Sequence, residues 1–537
     1  MQIFNNSKIN NISLDKKVSV VESKIEVQSA KVPKYDSLVQ NTSTYVIPFL
    51  GRNAKPKNVS LQPLTKPERD VKNALDKLNK ASHQAEVDAN KAYWDYIIDN
   101  TPEKQAKLNE KEEKYNNFYN DEKLQEKFKN LKDNTKIKNP KLKAKLDEVL
   151  EKFSASQTEK TTADKDYEKL SKLENEVQLK ANKFSNPEGV AYRDYISKDI
   201  VKLVSARNDY AKKNGYKNFY EMKLAEQGKD SQKLDSMFEK IADATKDIEK
   251  NKKSISPETI KLVASRLGKN NILGLCTDIY KDMGWNIMDM PIKSFDLFPR
   301  ENKINSRQTN NIDPNKDVRV LADLELENAP LFSVSTLMHE LGHAVHYSSF
   351  GENLPTSQKT ITSETMDEGI ALLMGSLAEK EGTLAKVLDL PKSAAKEIKE
   401  ASLSSKADNI RAYIQVDRFE KAMYENPNQD LNKLWKDCGK KYNNDRYGSL
   451  EWTDIDHFIH SPAYYHFYAE GEVMAEQLYN AASKGGKVKL TESKDTAKFF
   501  NNIFKYGSSK TEEELLKQAT GKTLDVDAYC KQFVQNN

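Results

Sequence analysis

From about residue 66 onward apolar residues recur at intervals of three and four, and that period, held across most of the chain, confines it to a fold of packed helices. Val71, Leu75, Leu78, Ala85, Val87, Ala92, Trp94 and Ile97 set the pattern over residues 70–100. Thr101 and Pro102 then offer an N-cap and a first-turn proline for a second helix. Charged amphipathic segments follow over 104–183, with breaks expected near Asn139-Pro140 and near Ser154-Ala155-Ser156. Their heptads are not sustained, so these segments read as solvated faces of packed helices rather than a coiled coil. The helical pattern resumes past Pro187, returns over 234–248 and dominates again after Pro391. One stretch differs in kind. Val318-Arg319-Val320-Leu321-Ala322-Asp323-Leu324 mixes β-branched and polar residues in near-alternation and predicts a short strand. The expected fold is mainly α, with one small β-sheet.

Residues 1–65 show no helical period and carry Pro33, Pro48, Pro56 and Pro63, which marks a disordered or loosely docked tail before a helical domain over 66–537. The 85 basic residues nearly balance the 81 acidic ones, and a formal charge of +4 on 537 residues predicts neither nucleic acid nor a membrane surface as partner. The first two dozen residues stay polar, and no apolar run is long enough to span a bilayer. Cys276, Cys438 and Cys530 lie far apart and match no CxxC pattern. A cytoplasmic monomer is the expectation.

The chemistry concentrates at His339-Glu340-Leu341-Gly342-His343. A helix capped by Ser333 or Ser335 and running to about Ser349 would project His339 and His343 from one face, a turn apart. Two imidazoles so placed can hold one Zn²⁺, with Glu340 beside the open side of the ion to take a proton from bound water. With seven histidines in the chain, chance gives this arrangement with a probability on the order of 0.01. Six of the seven also fall in two short groups, His339, His343 and His346, then His457, His460 and His466. Such clustering predicts that the two segments meet. A catalytic zinc needs a third protein ligand. Glu364, Asp367 and Glu368 open an apolar helix some two dozen residues on, and Glu364 and Glu368, one turn apart, could both reach one ion.

His339-Glu340-Leu341-Gly342-His343-Ala344-Val345-His346, followed by Glu364-Thr365-Met366-Asp367-Glu368-Gly369-Ile370-Ala371-Leu372, resembles the gluzincin peptidases. The likeness is greatest to their angiotensin-converting-enzyme-like and thimet-type oligopeptidases. It implies a zinc peptidase with helical lobes flanking a deep substrate channel, acting on short unfolded peptides. The family's ligand glutamate lies about two dozen residues past the second histidine, and Glu368, 25 past His343, fits that count. The family's helix pattern, a ligand glutamate with an acid four residues on before a Leu-Ala-Leu-like run, instead favours Glu364, with Glu368 as its supporting acid or the alternative ligand.

Trp452-Thr453-Asp454-Ile455-Asp456-His457-Phe458 and Ser461-Pro462-Ala463-Tyr464-Tyr465-His466-Phe467-Tyr468 resemble the family segment that faces the substrate across from the metal. Carried over, His457 would hydrogen-bond the tetrahedral intermediate or the peptide backbone, and Tyr465 or Tyr468 would stabilise the oxyanion, with Tyr464 the alternative if the register slips by one. The strand near Val318 would be the edge that pairs with an extended peptide. One position departs. Family members that trim C-terminal dipeptides carry a lysine where Ile455 stands, which favours cuts inside short peptides over dipeptidyl carboxypeptidase activity. An inactive zinc-bound peptide-binding protein is the rival reading, but binding alone would not call for Glu340.

Overall fold

The computed structural model describes residues 63–161, 165–181, 190–268, 272–304, 306–442 and 451–534. All but the last three residues of the expected tail lie outside these. The chain is mainly helical, as its period requires. The first helix, Lys66–Ile98, opens on a Thr65 cap reinforced by Glu68 and buries Val71, Leu75, Leu78, Trp94 and Ile97. Thr101 caps the next, Pro102–Asn116. The break expected near Ser154 does not occur. Helix Pro140–Thr161 continues through it, because serine and alanine are compatible with a helix interior and neither glycine nor proline interrupts the segment.

Three helices carry the centre of the molecule. The motif helix, Pro330–Tyr347, is buried on nearly every side from Leu331 to His346, as its all-round apolar sequence demands. It starts a turn earlier than Ser333, with Pro330 as its first residue. Ser333 caps nothing; its hydroxyl accepts from the Glu325 amide at 2.9 Å. The carboxylate helix, Glu364–Lys380, begins after Ser363, whose hydroxyl accepts from the Met366 amide. The aromatic helix, Tyr465–Ala482, is buried from Tyr465 to Leu478.

Glycines set how closely these helices approach. A Cβ on Gly342 would sit 3.1 Å from both the Ala371 Cα and the Met374 Cβ, and one on Gly375 would sit 3.0 Å from the Ser335 carbonyl. Gly369 meets the Gly471 carbonyl in the same way, at 3.1 Å. The motif and aromatic helices are thus pressed against opposite sides of the carboxylate helix with no room for a methyl group.

The sheet has three strands in the order β1-β3-β2, namely β1 (Ile292–Asp296), β2 (Gln308–Asp313) and β3 (Asp317–Leu321). β1 runs parallel to β3 and β2 antiparallel. The β2–β3 turn holds Asn315 at φ 62°, a left-handed conformation that asparagine tolerates better than most residues. The strand read from sequence is therefore the central one and not the edge. The edge beside the motif helix belongs to β2, whose polar Gln308-Thr309-Asn310-Asn311 gives no apolar alternation to read, and the Asn90 side chain donates to its Asn311 and Ile312 carbonyls at 3.4 Å. Val318 and Val320 join the core around the motif helix, while Ile312 and Leu321 join Val87, Trp94 and Ile97 of the first helix on the other face.

Two large apolar cores result. One gathers Ile200, Leu203, Tyr220, Phe238, Val416, Phe419 and Phe458. The other gathers Tyr280, Val320, Leu337, Leu341, Ile370, Met374 and Phe500. The aromatic helix serves both, giving Val473 to the first and Met474, Ala475 and Leu478 to the second. No helix of the described residues is long and apolar enough to cross a membrane.

Candidate metal centre and active site

The motif helix brings the Nε2 atoms of His339 and His343 to 3.2 Å from each other. Glu368 Oε2 lies 3.6 Å from His339 Nε2, and donor atoms of all three residues fall within 4.8 Å of one another. A tetrahedral zinc ion bonded at its usual lengths spaces its donors roughly 3.3 Å apart. Glu368 Oε2 is buried with no hydrogen-bond partner among the described residues, a costly state for a carboxylate unless a cation completes it. Burial and the charge of neighbouring His343 hold His339 well below the ordinary imidazole pKa, in the neutral form that ligates metals, whereas at His343 the charges of Asp367 and Glu368 outweigh burial and push the imidazole up to about 10, so a cation bound there would replace its proton. Two imidazoles and a carboxylate in this spacing fit a divalent ion.

Glu364, the ligand favoured by the helix pattern, stands outside this group. It is the first residue of the carboxylate helix, about 6 Å along the axis from Glu368. There it accepts a hydrogen bond from the Tyr464 side chain. Burial and the charges of Asp367 and Glu368 push its carboxyl up to about 7. The close packing at Gly342 and Gly375 fixes which turn meets His339, and Glu368 Oε2 comes to 3.6 Å from His339 Nε2 there. The count of residues past His343 agrees with this grouping, and the helix-face pattern does not.

Asp367, one residue earlier, points to the far side of the histidines. Its Oδ2 lies 3.0 Å from His343 Nδ1 and accepts from the Tyr347 hydroxyl at 2.7 Å, while its Oδ1 lies 2.8 Å from His346 Nδ1. Holding His343 by Nδ1 leaves Nε2 to face the donor group, the usual task of a carboxylate behind a ligand histidine. His346 is thereby accounted for structurally, and it also stacks on Phe504 at 4.6 Å. His466 is likewise structural, set between Glu470 at 3.0 Å and Gln227 at 2.9 Å.

Glu340 is buried beside the histidines. The Thr309 hydroxyl is shared between its carbonyl at 2.8 Å and its Oε2 at 2.9 Å. Burial pushes the Glu340 carboxyl up to about 7, against the opposing pull of His343 and Thr309. A base poised near neutrality is well matched to proton transfer at physiological pH. Thr309 was invisible in the sequence, because it sits on a strand without an apolar pattern.

The C-terminal group reaches the same region. Gly471 packs on Gly369, and a Cβ there would lie 3.6 Å from the Glu368 Cβ. Tyr464 and Tyr468, four apart with ring centroids 5.3 Å from each other, both feel the charges of Glu364 and Glu368. Tyr465 instead packs against His457 at 4.8 Å and towards Tyr413 at 6.3 Å. His457 opens a four-residue helix, His457–His460. Its Nδ1 lies 2.8 Å from Asp456 Oδ1, and its Nε2 lies 3.5 Å from the Tyr468 hydroxyl. Two arginines of helix Val190–Lys213 brace this segment from behind. Arg207, fully buried, donates to the carbonyls of Phe458 at 2.6 Å and Ile459 at 2.8 Å, and Arg193 grips the Asp454 carboxylate through two nitrogens. Their spacing from His457 in sequence gave no sign of this.

Residues 73–376, more than half of the chain, match the family model of the carboxypeptidase Taq (M32) metallopeptidases, and residues 293–535 match that of peptidase family M3. No curated protein matches the sequence. Among solved structures, the chain resembles the M32 carboxypeptidase of Deinococcus radiodurans R1 at 12% identity and a TM-score of 0.67, covering 86% of this chain and 98% of that one. It resembles Pyrococcus furiosus carboxypeptidase at 15% identity and a TM-score of 0.65, and Trypanosoma cruzi metallocarboxypeptidase 1 at 16% and 0.60, each over 88% of this chain and 99% of the other. At such identities these likenesses establish the fold alone, whereas the match to the M32 model spans both histidines, Glu340 and Glu368. The chain is a metallopeptidase and belongs to the carboxypeptidase Taq (M32) family.

Proposed function

We propose that the chain hydrolyses peptide bonds in short, unfolded peptides with one zinc ion held by His339, His343 and Glu368. The observation that carries this reading is the convergence of those three donors within 4.8 Å, with Glu340 on the same helix beside them. When bound, zinc would supply Lewis acidity toward the scissile carbonyl. Glu340, oriented by Thr309, takes a proton from the attacking water and later hands one to the leaving amine. Tyr468 or Tyr464, with His457, hydrogen-bonds the carbonyl oxygen as it gains charge. Asp367 keeps His343 turned toward the donor group. Lobes flanking a channel would admit extended chains and exclude folded proteins.

Family membership favours removal of residues from a free C-terminus, while Ile455 favours internal cuts. Mass-spectrometric mapping of cuts in a mixed peptide pool separates the two. Fragments shortened only from the C-terminus are expected for the carboxypeptidase, and cuts far from both ends for the oligopeptidase. A pool left intact at full zinc loading would refute the reading.

A further inference from the structure

The segment that carries Tyr464 enters the site through a strained turn. Ala463 stands at φ 56°, in the left-handed region that glycine or asparagine occupies at less cost than alanine. Among the described residues that hold a positive φ and are not glycine, it is the one that is buried, at 0% exposure. A buried alanine persists in such a conformation only where its surroundings impose it, and outliers of this kind gather where geometry matters to function. The next residue is Tyr464, whose side chain donates to Glu364 and whose ring lies 5.3 Å from that of Tyr468 and 6.0 Å from that of His457.

Two side chains from elsewhere in the fold impose the turn. Glu420, on helix Lys392–Glu425, is fully buried, and its Oε1 accepts from the Ala463 amide at 2.9 Å. Gln227, at the end of helix Phe219–Glu226, donates to the Ala463 carbonyl at 3.4 Å, and its Oε1 lies 2.9 Å from His466 Nε2. Glu420 Oε2 is buried without a hydrogen-bond partner among the described residues, so the carboxyl serves the Ala463 amide alone. Burial pushes that carboxyl up to about 8, against the opposing pull of the amide, and near neutral pH it stands as the neutral acid. A leucine would fill the same space without burying a polar group, so what the acid adds is its hold on the turn.

We propose that Glu420 is a positioning residue for peptide hydrolysis, holding the Ala463 turn that aims the Tyr464 hydroxyl at the reacting carbonyl oxygen. Without this acceptor the Ala463 amide would be buried unpaired, and the backbone would relax from φ 56° toward the negative values that alanine prefers. That relaxation swings the chain just ahead of Tyr464. A hydroxyl that must meet an oxyanion at about 2.7–3.1 Å loses most of its effect when it is misplaced by roughly 1 Å. A contact made only as the oxygen gains charge bears on kcat and leaves KM largely alone. Glu420 acts only through Ala463 and Tyr464.

This inference rests on the proposed peptidase reading, and one experiment tells their failures apart. Values of kcat and KM for one short peptide are measured for wild type, Tyr464→Phe, Glu420→Gln, Glu420→Leu, and Tyr464→Phe combined with Glu420→Leu. Zinc content and melting temperature are followed for each. Tyr464→Phe should lose about a hundredfold in kcat, the low end for removal of an oxyanion donor. Glu420→Leu should lose about tenfold or more in kcat, with KM within about twofold of wild type. Glu420→Gln, whose amide oxygen can accept from Ala463 as the neutral acid does, should stay within about threefold of wild type. In the Tyr464→Phe background Glu420→Leu should cost nothing further, because the hydroxyl it served is gone. Should the leucine variant not fold, Glu420→Asp, which draws the acceptor back by one methylene, takes its place with the same expected pattern. Equal losses in both backgrounds, a glutamine variant as impaired as the leucine one, or wild-type kcat in Tyr464→Phe or Glu420→Leu would overturn the assignment while leaving the peptidase reading intact. Absence of cleavage by wild type would overturn both.

Discussion

Glu340→Gln is expected to lower kcat for peptide hydrolysis by about a thousandfold, within the range that a positioned general base contributes. KM should change little. The substitution keeps the shape of the side chain, and the Thr309 hydroxyl, 2.9 Å from Oε2 in the native protein, can still donate to an amide oxygen. Folding should not suffer, because the carboxyl is buried and already pushed up to about 7 by desolvation. Metal content should also persist, since Glu340 is not among the three converging donors. The diagnostic pattern is thus a protein with one zinc per chain, an unchanged melting temperature and almost no turnover. Turnover within a few fold of wild type would remove Glu340 from the chemistry.

The second large effect separates the two glutamates. Glu368→Gln should cost zinc affinity by more than the roughly 10–100-fold typical of losing a supporting contact, because it removes a charged donor itself. Glu364→Gln should keep the metal. Its expected defect lies in the Tyr464 contact, and so in turnover. Competition against a chelator of known affinity reads both variants directly. Retention of zinc by Glu368→Gln with loss in Glu364→Gln would reverse the assignment and require the start of the carboxylate helix to shift by a turn.

Why the sequence left this choice open has a physical reason. Glu364 and Glu368 share a helix face, so periodicity alone could not rank them. What sets which of them lies beside the histidines is the depth at which the carboxylate helix docks on the motif helix, fixed by Gly342 and Gly375 against backbone and Cβ atoms. That contact joins residues roughly 30 to 40 apart in the chain and has no local signature. The same holds for the tyrosines. Three of them occur within five positions, and the Gly369–Gly471 contact decides that Tyr464 and Tyr468 lie nearest the acids while Tyr465 packs against His457.

Helices were legible because an apolar period survives any tertiary arrangement, and His339 and His343 because one helical turn is enough to pair them. The sheet was legible only at β3, the strand buried on both faces. β1 and β2 carry lysine, serine and asparagine, so neither they nor Thr309 announced themselves. Taking β3 for the edge followed from seeing one strand of three. Arg193 and Arg207, which hold the His457 segment from a helix some 250 residues earlier, lie beyond any reading of local pattern.

The most direct measurement is a zinc titration of chelator-stripped protein, following cleavage of one short peptide. The rate should start near zero, rise linearly and break at one zinc per chain. His339→Ala should stay flat throughout. Full cleavage by the stripped protein, or activity restored equally in His339→Ala, would contradict a zinc peptidase built on these residues.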